Sequence, residues 1–190
     1  MIEIRIHGRG GQGAVSASTM LATAAHKAGR HAQAFAVYGA ERRGAPMVAF
    51  VRVDDSPIRL RQMVYQPHGA ILLDQTLPKI VDVAFGLRSD GWILVNSPEG
   101  ATLPPSFQKF TVYSVDASGI AAGLGLGMRA MPMVNTAMLG AVARIGGLAD
   151  LAHVLAAISE IVPAKVEANL EAARLAFDHV RCPTPIGSTP

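Results

Sequence analysis

Apolar and polar positions alternate from the first residues: Ile2, Ile4 and Ile6 are interleaved with Glu3, Arg5 and His7. A period of two predicts a β-strand with one face buried. The strand runs into Gly8-Arg9-Gly10-Gly11-Gln12-Gly13. Residues 14–29 then read as an Ala-rich helix, with Val15, Met20 and Leu21 as its apolar positions and Gly29 as its stop. Residues 32–37 and 47–53 are predicted strands. A polar loop, residues 38–46, joins them, and Asp54-Asp55-Ser56-Pro57 closes the second as a turn. The second strand is expected to pair antiparallel at a sheet edge.

Short apolar runs continue the pattern. Residues 70–73, 92–95 and 110–115 are predicted strands, ending at Asp74, Asn96 and Asp116. Residues 77–85 read as a short helix and 118–127 as a stretch of small residues able to form one. The last third is helical, over residues 135–145, 148–161 and 164–180, with Pro163 between the last two. Strands alternating with helices predict an α/β fold: a mostly parallel, Rossmann-like sheet with helices on both faces and a helical C-terminal third. Residues 1–180 are expected to form a single domain and 181–190 a Pro-rich tail.

Composition narrows the function. Half of the 190 residues are apolar and only 16% are charged, against about 25% in an average domain. Partners rather than water are therefore expected over much of the surface, although a compact Ala-rich domain has the same composition. The net charge of +3 and the lack of a long Lys/Arg run argue against nucleic acid as a partner. No apolar run is long enough to span a membrane. The immediate strand pattern leaves no room for a signal peptide. The lone Cys182 can make neither an internal disulfide nor a cluster site. A reduced, cytoplasmic setting is the expectation.

The chemistry centres on Gly8-x-Gly10-x-x-Gly13. Glycines between a strand and a helix let a phosphate approach the backbone, and the free N–H groups at the helix start favour an anion. A nicotinamide dinucleotide site also calls for an acid at the end of the second strand. Phe35, Ala36, Val37 and Tyr38 stand there instead. The loop thus indicates phosphate without indicating nicotinamide; a tight turn packing helix on strand would look the same. Arg42 and Arg43, beside Glu41, can bind phosphate with their forked donors or form ion pairs within the chain or at an interface. His7 ends the first strand at the ligand-facing edge, and a satisfied polar residue of the core is the simpler account of it. Asn135 and Thr136 follow Pro132 and are placed to cap a helix. Trp92 and Met128, Met131, Met133 and Met138 read as packing residues.

The Gly8–Gly13 segment, Tyr38-Gly39-Ala40-Glu41-Arg42-Arg43-Gly44-Ala45-Pro46, Phe50-Val51-Arg52 with Ser56-Pro57-Ile58, and Asn135-Thr136-Ala137-Met138-Leu139-Gly140 together resemble the gamma subunit, or gamma domain, of the pyruvate and 2-oxoacid:ferredoxin oxidoreductases. The similarity runs from Met1 to about Ala176. It implies a subunit of an enzyme that converts a 2-oxoacid and CoA to acyl-CoA and carbon dioxide. It also implies thiamine-binding alpha and beta subunits and a ferredoxin-like subunit as partners, carrying thiamine diphosphate, magnesium and 4Fe–4S clusters. Ferredoxin or an NAD-reducing subunit would accept the electrons. This chain would cover the thiamine site and help to bind CoA, through Gly8, Arg9, Gly10, Gly11, Gln12, Gly13, Arg42 and Arg43, without catalysing alone. Pyruvate, 2-oxoglutarate, branched-chain, indolepyruvate and aryl-glyoxylate (phenylglyoxylate) acids all remain open as substrates. A stand-alone NADP-dependent reductase and a purely structural subunit are the alternatives.

Overall fold

The computed structural model describes residues 1–37, 44–99, 101–128 and 130–181. The chain forms β1 (Ile2–Arg9), α1 (Ala14–Lys27), β2 (His31–Val37), β3 (Pro46–Asp54), β4 (Gly69–Leu72), β5 (Trp92–Asn96) and β6 (Thr111–Val115). It continues with α2 (Ala117–Gly123), a two-strand hairpin of β7 (Gly127–Met128) and β8 (Met131–Pro132), then α3 (Asn135–Ile145), α4 (Leu151–Ile161) and α5 (Val166–His179). The six main strands make one sheet in the order β2-β3-β1-β4-β5-β6. β1, β4, β5 and β6 run parallel; β3 is antiparallel to both β1 and β2. The α/β class and the mixed, mostly parallel sheet match the sequence pattern.

The antiparallel strand lies inside the sheet, not at its edge as expected. Ala49, Phe50, Val51, Arg52 and Val53 are all buried to within 1%, and a run buried on both faces belongs to an interior strand. The edge is β2, where no residue is fully buried. Helical structure covers the two faces unequally. All five α-helices pack on the face carrying Ile4, Ile6, Val51, Ile71 and Leu94. On the other face, two 3₁₀ turns (Leu77–Lys79 and Pro105–Phe107) and irregular chain cover Ala70, Leu72, Ile93 and Val95.

The helix expected over residues 77–85 is only the first of these turns. Ile80, Val81 and Val83 are β-branched and resist helix. Asp82 also accepts the N–H of Ala84 at 3.1 Å, a local turn that competes with helical bonding. The helix expected over 118–127 ends at Gly123; Asp116 caps its start by accepting the N–H of Gly119 at 2.8 Å. Asp150 does the same for α4 through His153, so that helix begins at Leu151 rather than at 148. Arg181 pairs with Ser114 on the outer edge of β6 through two backbone bonds of 2.8 and 3.2 Å. Cys182 and the rest of the Pro-rich tail lie outside the described residues.

α3 and α5 approach each other closely because small residues face each other. A Cβ on Gly140 would sit 1.9 Å from the carbonyl oxygen of Ala173. This contact and the α1–α4 packing bring the starts of three helices to one end of the molecule.

On the opposite face of the sheet, β1 buries charge. Arg52 is fully buried and donates to Glu3 at 2.8 Å and to the carbonyl of Gln62 at 2.6 Å, its guanidinium lying 5.1 Å from the Phe35 ring. His7 is 9% exposed, and its Nε2 is buried with no hydrogen-bond partner among the described residues. It is therefore not the satisfied core histidine that the sequence suggested. Burial, and then the neighbouring positive charge of Arg5, push its pKa from 6.5 down to about 3. The neutral form is built into the fold, with a consequence for acid stability. Below pH 6.5 the unfolded chain takes up a proton that the folded chain refuses until about pH 3. Stability is complete above pH 6.5 and declines as pH falls through that window. Urea denaturation of the wild type should show a loss of roughly 2 kcal/mol between pH 6.5 and 5 that His7→Leu lacks. Equal pH slopes for the two proteins would refute it.

Candidate functional site

β1 delivers the glycine-rich loop to the C-terminal edge of the parallel strands, where open α/β sheets bind ligands. The loop is braced from within. The Gln12 side chain accepts the Arg9 N–H at 2.8 Å, and the Gln12 N–H donates to the Arg9 carbonyl at 3.0 Å. Gly10 donates to the Ala45 carbonyl at 2.9 Å and accepts from Gly44 at 3.1 Å, which ties the end of the arginine loop to the glycine loop. The Arg9 side chain reaches Asp74 at 2.6 Å, the Gly44 carbonyl at 3.0 Å and the Thr76 hydroxyl at 2.8 Å. Desolvation pushes the Asp74 carboxyl up. Hydrogen bonds from the Thr76 hydroxyl and N–H, together with Arg9, outweigh that and hold it below the ordinary value.

What the loop leaves open is the start of α1. Gly13 precedes the helix with φ 82°, and no side chain caps it. The first carbonyl bond into the helix is Ala17 to Gly13. The N–H groups of Gly13, Ala14, Val15 and Ser16 thus have no acceptor among the described residues. Such a terminus attracts anions through free donors and the helix dipole. Gly13 is also sterically required: a Cβ there would lie 2.7 Å from the Asn135 amide nitrogen, and the left-handed backbone disfavours any L side chain.

This terminus opens into a cavity of ≈ 590 Å³. Gly11, Gly13 and Ser16 form one wall; Met133 and Asn135, entering α3, form a second; residues 161–165, the turn between α4 and α5, form a third. The second and third walls are locked together. Thr136 donates its hydroxyl to the Asn169 amide oxygen at 3.0 Å, and the Asn169 amide nitrogen donates to the carbonyls of Lys165 and Ala164 at 3.0 and 3.3 Å. Thr136 and Asn169 are buried, so this network fixes the starts of α3 and α5 relative to each other.

Of the residues singled out in the sequence, Gly11 and Gly13 line the cavity, Arg9, Gly10 and Gln12 hold the loop in shape, and Gly8 lies in β1, where an added Cβ would stand 3.2 Å from Leu73 and 3.3 Å from Ala14. Arg42 and Arg43, with Glu41, lie outside the described residues. Asn135 is the first residue of α3 and not its cap; its Oδ1 accepts the Thr136 N–H at 3.0 Å. Asn96 ties Leu73 to Ser118 and so joins two strand ends structurally. Lys165, Asn169 and Ser16 escaped sequence reasoning. The one signal for the first two was their place just after Pro163, where a new helix must start. No group of three or more His, Cys, Asp or Glu able to hold a metal occurs among the described residues, and no helix there is long and apolar enough to cross a membrane.

A family model described as pyruvate ferredoxin/flavodoxin oxidoreductase matches residues 3–179. The chain belongs to this family. It is therefore an oxidoreductase subunit, built on the fold that such subunits share. It is 46% identical over 183 residues to the pyruvate synthase subunit PorC of Methanothermobacter thermautotrophicus, covering 95% of this chain and 96% of that one. It is likewise 46% identical over 182 residues to the pyruvate/ketoisovalerate oxidoreductases common subunit gamma of Thermococcus kodakarensis, covering 94% and 96%. The crystal structure of the pyruvate oxidoreductase subunit PORC from Thermotoga maritima superposes with a TM-score of 0.80 at 36% identity, over 96% of this chain and 98% of that one.

Proposed function

We propose that this chain is the gamma-type subunit of a 2-oxoacid:ferredoxin oxidoreductase of the pyruvate-oxidising kind, and that its part is to bind the phosphate end of CoA while covering the thiamine site of its partners. The observation that carries the reading is the uncapped start of α1, whose free N–H groups open into the cavity. A ligand with phosphates at one end and a flexible, partly apolar arm suits a site with donors on one wall and Met20, Met47, Leu126 and Met133 on others. In the assembled enzyme, thiamine diphosphate on partner subunits would supply carbanion stabilisation, and iron–sulfur clusters would carry off the electrons. The residues of this chain would bind the acyl acceptor, orient its arm and keep water out.

A relative that is named as common to pyruvate and ketoisovalerate oxidoreductases supports placing substrate selectivity outside this subunit. The test is steady-state kinetics of the purified complex. Ser16 is exposed in the first turn of α1 and lines the cavity, so Ser16→Trp fills the site with little risk to folding. The variant should raise the KM for CoA by about tenfold or more, a loss of roughly 1.4 kcal/mol, and leave the KM for the 2-oxoacid unchanged. An unaltered KM for CoA would sink the assignment of the cavity.

A further inference from the structure

Lys165 is the only non-glycine residue with positive φ among the described residues, at φ 53° and ψ 42°. For an L residue that backbone costs roughly 1–2 kcal/mol. Lys165 also occupies the cap position of α5, where a side-chain oxygen is preferred and lysine has none. Glycine or asparagine would suit both demands better. What lysine brings is a cation at the cavity wall. Its ammonium donates to the Gly125 carbonyl at 2.6 Å, beside Leu126 and Gly127 of the same wall. Two of its three N–H donors have no acceptor among the described residues. Arg9, by contrast, is engaged by Asp74, Thr76 and Gly44.

A second observation points to a ligand in the same place. Asn135 is only 6% exposed and lines the cavity, yet its amide nitrogen donates to no acceptor among the described residues. It rests against Gly13, at the mouth of the α1 terminus. The side chain is buried while its amide nitrogen stays open to the cavity, so this donor is held in place for a group that enters there.

We propose that Lys165 is a ligand-binding residue: its ammonium neutralises a phosphate of CoA held at the start of α1, with the Asn135 amide as a neutral donor to the same group. The proposal rests on the CoA reading given above and adds the residue that would discriminate a phosphorylated acyl acceptor from an unphosphorylated one. The Thr136–Asn169 network holds the turn in place, so the cation is positioned before the ligand arrives.

The test uses the intact complex with CoA and with pantetheine, which keeps the thiol arm and lacks the phosphates. Lys165→Met should raise the KM for CoA about tenfold, as expected for one charge-assisted hydrogen bond, and leave the KM for pantetheine unchanged. Lys165→Gly should lose CoA affinity equally while raising thermal stability, since it relieves the backbone; that pairing separates binding from folding. If Lys165→Met leaves CoA unaffected while Ser16→Trp impairs it, Lys165 is only a tether to Gly125 and the proposal is overturned, with the cavity assignment intact. If the two acceptors are impaired equally by Lys165→Met, the phosphate contact is likewise refuted. If neither variant affects CoA, both readings fall together.

Discussion

Replacing Gly140 with alanine should destabilise the protein by roughly 3 kcal/mol or more, the upper range for an overpacked core. The new methyl group would meet not a side chain able to swing away but the backbone of Ala173, with the carbonyl oxygen at 1.9 Å and the carbonyl carbon at 2.6 Å. Relief requires α3 and α5 to separate. That movement would strain the Thr136–Asn169 bonds and open the cavity wall, so the same substitution should weaken ligand binding in whatever fraction remains folded. Gly123, at the end of α2, has nothing within 4 Å of the same added atom. Gly123→Ala should be neutral or stabilising by up to about 1 kcal/mol. Denaturation midpoints for the two variants measure the contrast, and similar midpoints would contradict the close contact.

The second large effect concerns the buried ion pair on the opposite face. Glu3→Leu should cost about 3 kcal/mol, the lower end for stripping a buried charge of its partner. The low end applies because the carbonyl of Gln62 and the ring of Phe35 would still attend the Arg52 guanidinium. Adding Arg52→Met should restore more than half of that loss, since much of the penalty is the stranded charge and not a missing attraction. A double-mutant cycle in urea reads this directly. A double variant no more stable than Glu3→Leu alone would show that the pair is a net source of stability.

These residues also show how far the sequence could be read. The strand at Ile2–Ile6 and the helix at Asn135–Ile145 announce themselves because their apolar spacing is local and uninterrupted. The glycine loop is legible for the same reason, a strand followed by a helix with glycine between. The cavity is not. Its walls come from residues 11–16, 133–135 and 161–169, which only the packing of α1, α3 and α5 brings together. Arg9 and Gln12 look like ligand donors in sequence, yet in the fold the Arg9 guanidinium is taken by Asp74, Gly44 and Thr76, and the Gln12 amide oxygen is turned inward to accept the Arg9 N–H. Spacing reports which residues could reach a phosphate, but not which of them are already engaged. His7 illustrates the converse: its alternation places it correctly on the second face, while nothing in the pattern says that its Nε2 lacks a partner there.

The two rims of the sheet are finished differently, and this bears on how an isolated chain behaves. On β6, Arg181 occupies part of the outer edge. Among the described residues β2 pairs with β3 on one side only, and its sequence, His31-Ala32-Gln33-Ala34-Phe35-Ala36-Val37, carries no lysine or proline to deter another strand from joining it. An isolated chain is therefore expected to self-associate edge to edge through β2 rather than through β6.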